Sequence, residues 1–224
     1  MLIIGHRANV MRVIQQYVRC KVKGYEIDVK YDEKHGFTAL HGPSPVKRPS
    51  IPGRILGWID YKFFYRDPLL KPMKLENIIS YIESRIDKPT YMLDLRSANG
   101  LHELTAIIEK FNLWKRIIIS SEIHPVIKEI KETIGDDIKC LISLNILPVN
   151  TIKLIEDAKA DGISIKYTLL NKKLTCNLHE NGYTIAAWTI NDKQTLEKIK
   201  ELNIDMVISD NPCKIQHSLT ITLS

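Results

Sequence analysis

The chain has 224 residues, of which 44% are hydrophobic and 26% charged, with ten glycines and ten prolines. This composition is typical of a globular protein and excludes a collagen-like, linker-like or disordered chain. The formal net charge of +6 favours anionic partners such as phosphate compounds, acidic membrane surfaces or nucleic acid. The sequence contains no apolar stretch of about 20 residues and opens on a short apolar run, so it predicts a cytoplasmic protein without a membrane span or signal peptide.

Short apolar runs alternate with longer amphipathic segments along most of the chain. Many of the runs are rich in Ile and Val, which is typical of strands buried on both faces. Strands are predicted at Leu2–Ile4, Tyr25–Val29, Tyr91–Leu95, Ile117–Ser120, Lys139–Leu144, Ile163–Ile165, Ile185–Trp188 and Met206–Ile208. Helices are predicted at Leu75–Ile86, His102–Phe111, Pro125–Ile134, Asn150–Ala160 and Asp192–Leu202. Eight strands separated mostly by helices favour a single (β/α)8 barrel domain over residues 1–224, with a doubly wound open sheet as the alternative.

Two segments interrupt this pattern. Residues 43–72 are rich in proline and aromatic residues and are predicted to form a long irregular loop, which either packs on itself or covers a substrate. At the end of the chain, only a short tail follows Pro212, so a shortened last helix is expected.

The four cysteines, Cys20, Cys140, Cys176 and Cys213, are far apart in the sequence. They form no C-x-x-C pair, which argues against a zinc site or a thioredoxin-like motif. Because a chain of this size can bury a large core, no disulfide framework is expected.

Acidic side chains share one face of two predicted strands. Glu26 and Asp28 are two residues apart, as are Asp94 and Arg96, and side chains at this spacing point to the same face of a strand. Carboxylates directed into the mouth of a barrel repel one another and need a cation, for which a hard divalent ion with oxygen ligands is the natural choice. The alternatives are exposed acids on a half-buried strand and an Asp94–Arg96 pair that satisfies itself.

Histidines and arginines follow strands in the same part of the chain. His6 and Arg7 come directly after the first strand, and His41 follows the apolar run 37–40. Two imidazoles, one protonated and one neutral, suit acid–base chemistry near pH 7. The guanidinium groups of Arg7 and Arg96 can grip phosphate oxygens.

With these residues in place, the sequence resembles the glycerophosphodiester phosphodiesterase family, part of the barrel-type phospholipase C-like phosphodiesterases. The matching motifs are His6-Arg7, Glu26-Ile27-Asp28-Val29, His41, Leu93-Asp94-Leu95-Arg96, Trp188-Thr189-Ile190-Asn191 and Ser209-Asp210-Asn211-Pro212. They occur in the family's order over nearly the whole chain, and it is this order, more than any one motif, that makes the resemblance specific.

The resemblance implies a (β/α)8 barrel that hydrolyses a glycerophosphodiester, a small-molecule substrate, to glycerol phosphate and an alcohol. It implies that one Mg²⁺ or Ca²⁺ is held by Glu26, Asp28 and Asp94, with His6 and His41 as general acid and base and Arg7 and Arg96 on the phosphoryl oxygens. Further candidates are Lys166 for the phosphate, Trp188 for the alcohol and Glu122 near the metal, whereas Asp210 is expected mainly to cap the last turn.

The sequence departs from the family at several positions. Ala8 and Gly42 stand where the family has Gly and Asp, Asp94 and Arg96 replace Glu and Lys, and a Pro-Glu-Asn-Thr stretch is missing. Because every charge of the site is retained, we expect activity, with an altered substrate choice.

One alternative is a sphingomyelinase D-like enzyme of the same superfamily that acts on phospholipids and meets the membrane through residues 58–65. Another is a non-catalytic barrel that binds phosphate; nucleic acid is not expected, because Lys and Arg form no basic stripe interleaved with aromatics.

Overall fold

A computed structural model describes residues 1–40 and 72–221 of the chain. The strands are β1 (Leu2–Gly5), β2 (Gly24–Asp32), β3 (Gly36–Ala39), β4 (Met73–Lys74), β5 (Thr90–Leu95), β6 (Ile117–Ser121), β7 (Lys139–Leu144), β8 (Gly162–Lys166), β9 (Thr184–Trp188) and β10 (Met206–Ser209). The helices are α1 (Met11–Arg19), α2 (Leu75–Glu83), α3 (Leu101–Lys110), α4 (His124–Ile134), α5 (Thr151–Asp157), α6 (Lys172–Glu180), α7 (Lys193–Lys200) and α8 (Pro212–Ile221). His41 and nearly all of the predicted 43–72 loop, including residues 58–65, lie outside the described residues.

Eight parallel strands close into a barrel. Their order around it is β1, β2, β5, β6, β7, β8, β9 and β10, and β1 pairs with both β2 and β10. β3 and β4 extend β2 on one side as antiparallel strands. The predicted (β/α)8 barrel is therefore confirmed, and the open doubly wound sheet is excluded.

Two apolar layers hold the barrel together. The larger lies between the strands and the surrounding helices, and it includes the buried faces of α2, α3 and α4. A smaller cluster lies inside the barrel and is formed by Ile4, Met92, Ile118, Leu141, Ala186, Met206 and Ile208. Since successive side chains of a strand alternate between faces, residues two positions beyond these also point inward, toward the carboxyl end of the barrel.

Two helices have a side-chain cap at the residue where the sequence predicts the helix to begin. The Asn150 side chain accepts a hydrogen bond from the backbone N–H of Lys153 at 2.9 Å, and Asp192 accepts one from Thr195 at 2.8 Å. Such caps satisfy backbone donors that the first helical turn leaves unpaired. Among the described helices, none combines the length and the apolar character needed to span a lipid bilayer.

Two expectations from the sequence are wrong. The last helix is not shortened, because α8 has ten residues, the same number as α3. In addition, Cys20 at the end of α1 forms a disulfide with Cys213 in α8, although 193 residues separate them. Closure of the barrel brings the first and last helices together, which no spacing in the sequence could show. Of the other two cysteines, Cys140 is buried and Cys176 is exposed, and both are free.

Candidate active site

A cleft of about 250 Å³ opens at the carboxyl ends of the barrel strands. This end carries the active site in (β/α)8 enzymes, because the loops that follow the strands surround it. The cleft is lined by His6, Arg7, Glu26, Asp28, Met92, Asp94, Arg96, Ser120, Glu122, Ser143, Asn145, Ser164, Trp188, Thr189 and Ile208. The fold thus brings together eight of the predicted site residues, namely His6, Arg7, Glu26, Asp28, Asp94, Arg96, Glu122 and Trp188.

Glu26 lies at the base of the cleft and is 6% exposed. Its Oε2 accepts a hydrogen bond of 2.6 Å from the backbone N–H of Arg7 and lies 3.9 Å from Nε2 of His6. Arg7 adopts a left-handed backbone conformation with φ of 52°, at the turn that joins β1 to α1. This turn holds the first histidine and the first carboxylate side by side.

Asp28, two residues further along β2, is held by an asparagine. Asn9 Nδ2 donates to Asp28 Oδ2 at 2.7 Å, and the backbone N–H of Asp28 donates to Asn9 Oδ1 at 3.0 Å. Asn9 is 2% exposed. Nothing in the sequence points to Asn9, since a lone asparagine after a strand carries no signal of its own. The paired contacts fix the direction of the Asp28 carboxylate.

A chain of polar contacts crosses the ends of β5, β6 and β7. Nε of Arg96 lies 3.3 Å from Asp94 Oδ2, and its Nη1 donates to Glu122 Oε2 at 2.6 Å. Asn145 Nδ2 donates to the other carboxylate oxygen, Glu122 Oε1, at 2.6 Å. Two acids therefore hold the guanidinium, and within the described residues its Nη2 keeps no protein partner. Glu122, expected near a metal, instead binds Arg96.

His6 is hydrogen-bonded to Asp210, which directly follows the last strand of the barrel. Its Nδ1 lies 2.6 Å from Asp210 Oδ1, and since a carboxylate only accepts, Nδ1 carries the proton and donates it. Asn191 Nδ2 donates to Asp210 Oδ2 at 2.8 Å. The hydrogen bonds from His6 and Asn191 lower the pKa of Asp210 to about 2. Asp210, expected mainly as a cap, therefore orients the imidazole and leaves Nε2 toward the cleft.

Tyr17 of α1 supports the same histidine through the backbone. Its hydroxyl donates to the carbonyl of His6 at 2.9 Å and lies 3.5 Å from the carbonyl of Asp210. The ring rests on Gly5, where a Cβ would collide with it. Burial, with the charges of Asp210 and Glu26, raises the pKa of Tyr17, so the hydroxyl stays a donor. Gly5 is thus required for the close approach that positions His6.

The donor chemistry of the carboxylates fits a hard divalent cation. Burial raises the pKa of Glu26 well above its ordinary value, and the negative charges of Asp28 and Asp94 raise it further. A cation would offset this repulsion. Among residues 1–40 and 72–221, however, no group of three or more acidic, His or Cys side chains stands arranged to hold a metal ion. As they lie, these carboxylates contact nitrogen donors of Arg7, Asn9 and Arg96.

Two other predicted residues lie at the edge of this arrangement or beyond it. Lys166 ends β8 with an exposed side chain and is not among the residues that line the cleft. Trp188 ends β9 and lines the cleft, and its Nε1 is buried without a hydrogen-bond partner. His41, the predicted second histidine, lies outside the described residues. The described part of the cleft is therefore lined by one histidine, two arginines and four carboxylates, those of Glu26, Asp28, Asp94 and Glu122.

Solved structures of phosphodiesterases share this fold. The chain is similar to an Oleispira antarctica phosphodiesterase in complex with the product sn-glycerol-3-phosphate, with 19% identity, a TM-score of 0.75 and coverage of 98% of this chain and 97% of that one. It is similar to a glycerophosphodiester phosphodiesterase of Parabacteroides distasonis, with 16% identity, a TM-score of 0.76 and coverage of 100% and 98%. It is also similar to a glycerophosphodiester phosphodiesterase of Thermotoga maritima, with 17% identity, a TM-score of 0.67 and coverage of 100% of this chain and 98% of that one. These likenesses establish the fold.

Sequence comparison reaches a shorter part of the chain. The chain is 34% identical over 53 residues to YhdW of Bacillus subtilis (strain 168), which is provisionally named a glycerophosphodiester phosphodiesterase. The match covers 24% of this chain and 22% of that protein, so the chain spans about a fifth of the relative's length. No family model matches the sequence.

Proposed function

We propose that the protein is a glycerophosphodiester phosphodiesterase, which hydrolyses a glycerophosphodiester to glycerol phosphate and an alcohol. The observation that carries this proposal is the convergence of His6, four carboxylates and two arginines on one cleft at the carboxyl end of the barrel. The same fold in solved phosphodiesterases, one of them bound to sn-glycerol-3-phosphate, supports it, as does the short match to YhdW.

In this proposal His6 moves a proton at Nε2. Asp210 holds Nδ1–H, so Nε2 is the nitrogen that can take a proton from the attacking hydroxyl or give one to the leaving alkoxide. His41, the second histidine of the matching motifs, takes the opposite role. The attacking group is water or a hydroxyl of the substrate itself, and the proposal covers both routes.

The arginines of the cleft bind the phosphoryl group. Arg96 offers Nη2 toward it, since Asp94 and Glu122 hold the other two nitrogens, and Arg7 lines the cleft beside His6. Fixed donors of this kind stabilise the negative charge that builds up on phosphoryl oxygens in the transition state. Lys166 remains a candidate for the same phosphate from the rim of the cleft.

Glu26, Asp28 and Asp94 would hold one Mg²⁺ or Ca²⁺. Such an ion, when bound, polarises the phosphoryl group and neutralises developing charge. The three side chains would exchange their nitrogen donors for the ion, whose charge would offset the burial and the neighbouring carboxylates that raise the pKa of Glu26.

A coupled assay of sn-glycerol-3-phosphate release from glycerophosphocholine, with Mg²⁺ or Ca²⁺ and then with EDTA, tests the proposal. We expect turnover that EDTA abolishes and that His6→Ala reduces at least about 100-fold. The matched control is His179→Ala, because His179 pairs with Asp205 as His6 pairs with Asp210 but lies away from the cleft. Full activity of His6→Ala would contradict the proposal.

A second candidate, an enzyme that acts on intact phospholipids, is favoured by apolar side chains beside the cleft. Ile123 follows β6, and Ile146, Leu147 and Val149 follow β7, and all four are exposed large hydrophobic residues. The loops after these strands surround the mouth of the cleft. Flotation with liposomes separates the two candidates, since lipid binding without turnover of water-soluble diesters would favour the second.

A further inference from the structure

Exposed apolar side chains are concentrated at one edge of the carboxyl end of the barrel. Among the described residues, five large hydrophobic side chains are exposed, and four of them, Ile123, Ile146, Leu147 and Val149, follow the paired strands β6 and β7. We refer to these four residues as the apolar rim. Val149 is fully exposed and Ile146 is 80% exposed. Isolated apolar side chains on a surface are ordinary, but a concentration of them marks an interaction site.

A side-chain contact joins the two loops that carry the apolar rim. Asn145 Nδ2 donates to Glu122 Oε1 at 2.6 Å, and each of these residues directly precedes a residue of the rim, Ile146 and Ile123. The backbone N–H of Ile123 also donates to Ser121 Oγ at 3.0 Å. The loops are thus held together at their bases while their apolar side chains reach solvent, so the apolar rim is one surface.

Lysines flank the apolar rim. Residues 145–153, after β7, and residues 166–173, after the neighbouring strand β8, contain four lysines and no acidic residue. One of the four, Lys153, forms an ion pair of 3.2 Å with Asp157. The other three are exposed and form no ion pair within the described part of the chain, namely Lys166, Lys172 and Lys173. The apolar rim and these three lysines together are called the docking face below.

We propose that the docking face binds a lipid bilayer that carries anionic lipids, with the apolar rim inserted among the head groups and the lysines on the lipid phosphates. Interfacial binding of this kind grows with the buried apolar area and with the attraction between basic side chains and anionic lipids. The inference goes beyond the proposed function, because it concerns where the protein binds and holds whether or not a lipid is the substrate.

The shape and the charge of the docking face favour a bilayer over a protein partner. A fully exposed side chain such as that of Val149 stands clear of its described neighbours and forms no pocket for a protein segment, whereas a fluid bilayer closes around it. A second copy of the chain is a poor occupant, because two basic faces repel each other. Since Glu122 and Asn145 line the cleft, docking would also place the mouth of the cleft at the bilayer surface.

Flotation of the whole chain with vesicles tests the docking. Vesicles of phosphatidylcholine alone are compared with vesicles that contain phosphatidylcholine and phosphatidylglycerol in equal amounts. We expect the wild type to float with the anionic vesicles, and added salt to weaken this binding because ions screen the charges. Absence of binding to the anionic vesicles at low salt would overturn the inference.

Apolar variants test whether the rim enters the bilayer. The double variant Ile146→Ser with Val149→Ser is expected to weaken binding to the anionic vesicles at least about tenfold, because two apolar side chains can no longer be buried. The conservative control Ile146→Leu should bind as the wild type does. Both changes lie at exposed positions, so we expect the wild-type melting temperature. Unchanged binding of the double variant would overturn the inference.

Lysine variants separate docking by this face from attraction by net charge. Lys172→Gln and Lys173→Gln should each weaken binding to the anionic vesicles about fivefold. The matched control, Lys115→Gln with Lys198→Gln, removes the same charge from exposed positions at the amino end of the barrel and should bind nearly as tightly as the wild type. Equal weakening by the two lysine pairs would overturn the inference.

Two further measurements distinguish other outcomes. In solution, Ile146→Ser with Val149→Ser should keep the wild-type kcat/KM for glycerophosphocholine, because neither residue lines the cleft. If the wild type floated as expected but hydrolysed no diester, the docking would stand and the proposed function would be wrong. A dimer in analytical ultracentrifugation that Val149→Ser disperses would assign the apolar rim to a second copy of the chain and overturn the inference.

Discussion

The contact between His6 and Asp210 ties the first strand to the last at the carboxyl end of the barrel. Asp210 is a positioning residue, so its replacement should lower kcat more than it changes KM. For Asp210→Asn we expect kcat to fall on the order of 10- to 100-fold, a part of what a well-placed acid–base group supplies. Steady-state kinetics on glycerophosphocholine measure this split. Asp205→Asn, which breaks the similar pair with His179 at the other end of the barrel, should leave kcat unchanged.

Arg96 is held by Glu122, which follows β6, and Glu122 is held in turn by Asn145, which follows β7. Without the charge of Glu122, Nη1 of Arg96 loses its carboxylate, and the guanidinium turns more freely. Glu122→Gln is therefore expected to raise KM for the diester about three- to tenfold, with Asn145→Ala causing a smaller rise. Glu129→Gln, on an exposed position of α4, is the matched control. An unchanged KM in Glu122→Gln would show that Arg96 does not act through this contact.

A buried lysine joins α4 to the start of β8. The Lys131 side chain is 3% exposed, and its Nζ donates to Asp161 and to the carbonyl of Ile138 at 3.1 Å each. Burial alone would lower the pKa of Lys131, but the hydrogen bond and charge of Asp161 outweigh it, so the pKa is raised. Asp161 thus stabilises the charged form of the buried Lys131, and the contact joins the helix to the strand.

Replacement of this lysine should weaken the barrel without touching the cleft. Lys131→Met is expected to lower the free energy of unfolding by about 1–3 kcal/mol, measured in urea, against Lys128→Met on an exposed position of α4. Since the folded-state pKa is the higher one, the wild-type contribution is complete below pH about 10.5 and is lost as the pH rises above it. Parallel losses in wild type and Lys131→Met above that pH would contradict this assignment.

At the level of elements, hydrophobic periodicity predicts most of the barrel. Each predicted strand is present, and its bounds agree to within one residue except at the end of β2, which runs three residues further than predicted. Buried parallel strands are dense in Ile and Val, which makes them easy to find. No helix was predicted at Met11–Arg19, which buries only Ile14 and Tyr17 and so shows too few apolar positions. The antiparallel strands β3 and β4 are not predicted either; β4 has only two residues, and β3 contains only two buried apolar side chains, those of Phe37 and Ala39.

Contacts across the barrel are beyond the reach of local patterns. The sequence predicts correctly that Glu26 and Asp28 share one face of β2 and that Asp94 and Arg96 point to the same cleft, because alternation along a strand fixes their direction. It does not reveal that Asn9 holds Asp28, that Glu122 holds Arg96 or that Asp210 holds His6. These pairs depend on strand order and register, and the last joins residues 204 positions apart.

For the whole molecule, the disulfide between Cys20 and Cys213 closes nearly the full length of the chain. In the chain-entropy view, a loop of 193 residues contributes up to about 5 kcal/mol by restricting the unfolded state. Cys213→Ser should therefore lower the urea midpoint clearly while leaving kcat unchanged, since the sulfurs lie outside the cleft. Cys176→Ser, which removes an exposed free thiol, is the control. Equal midpoints for both variants would show that the disulfide does not stabilise the protein.

The pairing of β1 with β10 also has a consequence for the synthesis of the protein on the ribosome. Asp210 is translated 204 positions after His6. At ordinary rates of synthesis, roughly 10–40 s pass between them. During that interval the growing chain holds its histidine without the aspartate that orients the imidazole, so the proposed acid–base site is complete only once β10 and Asp210 have been synthesised.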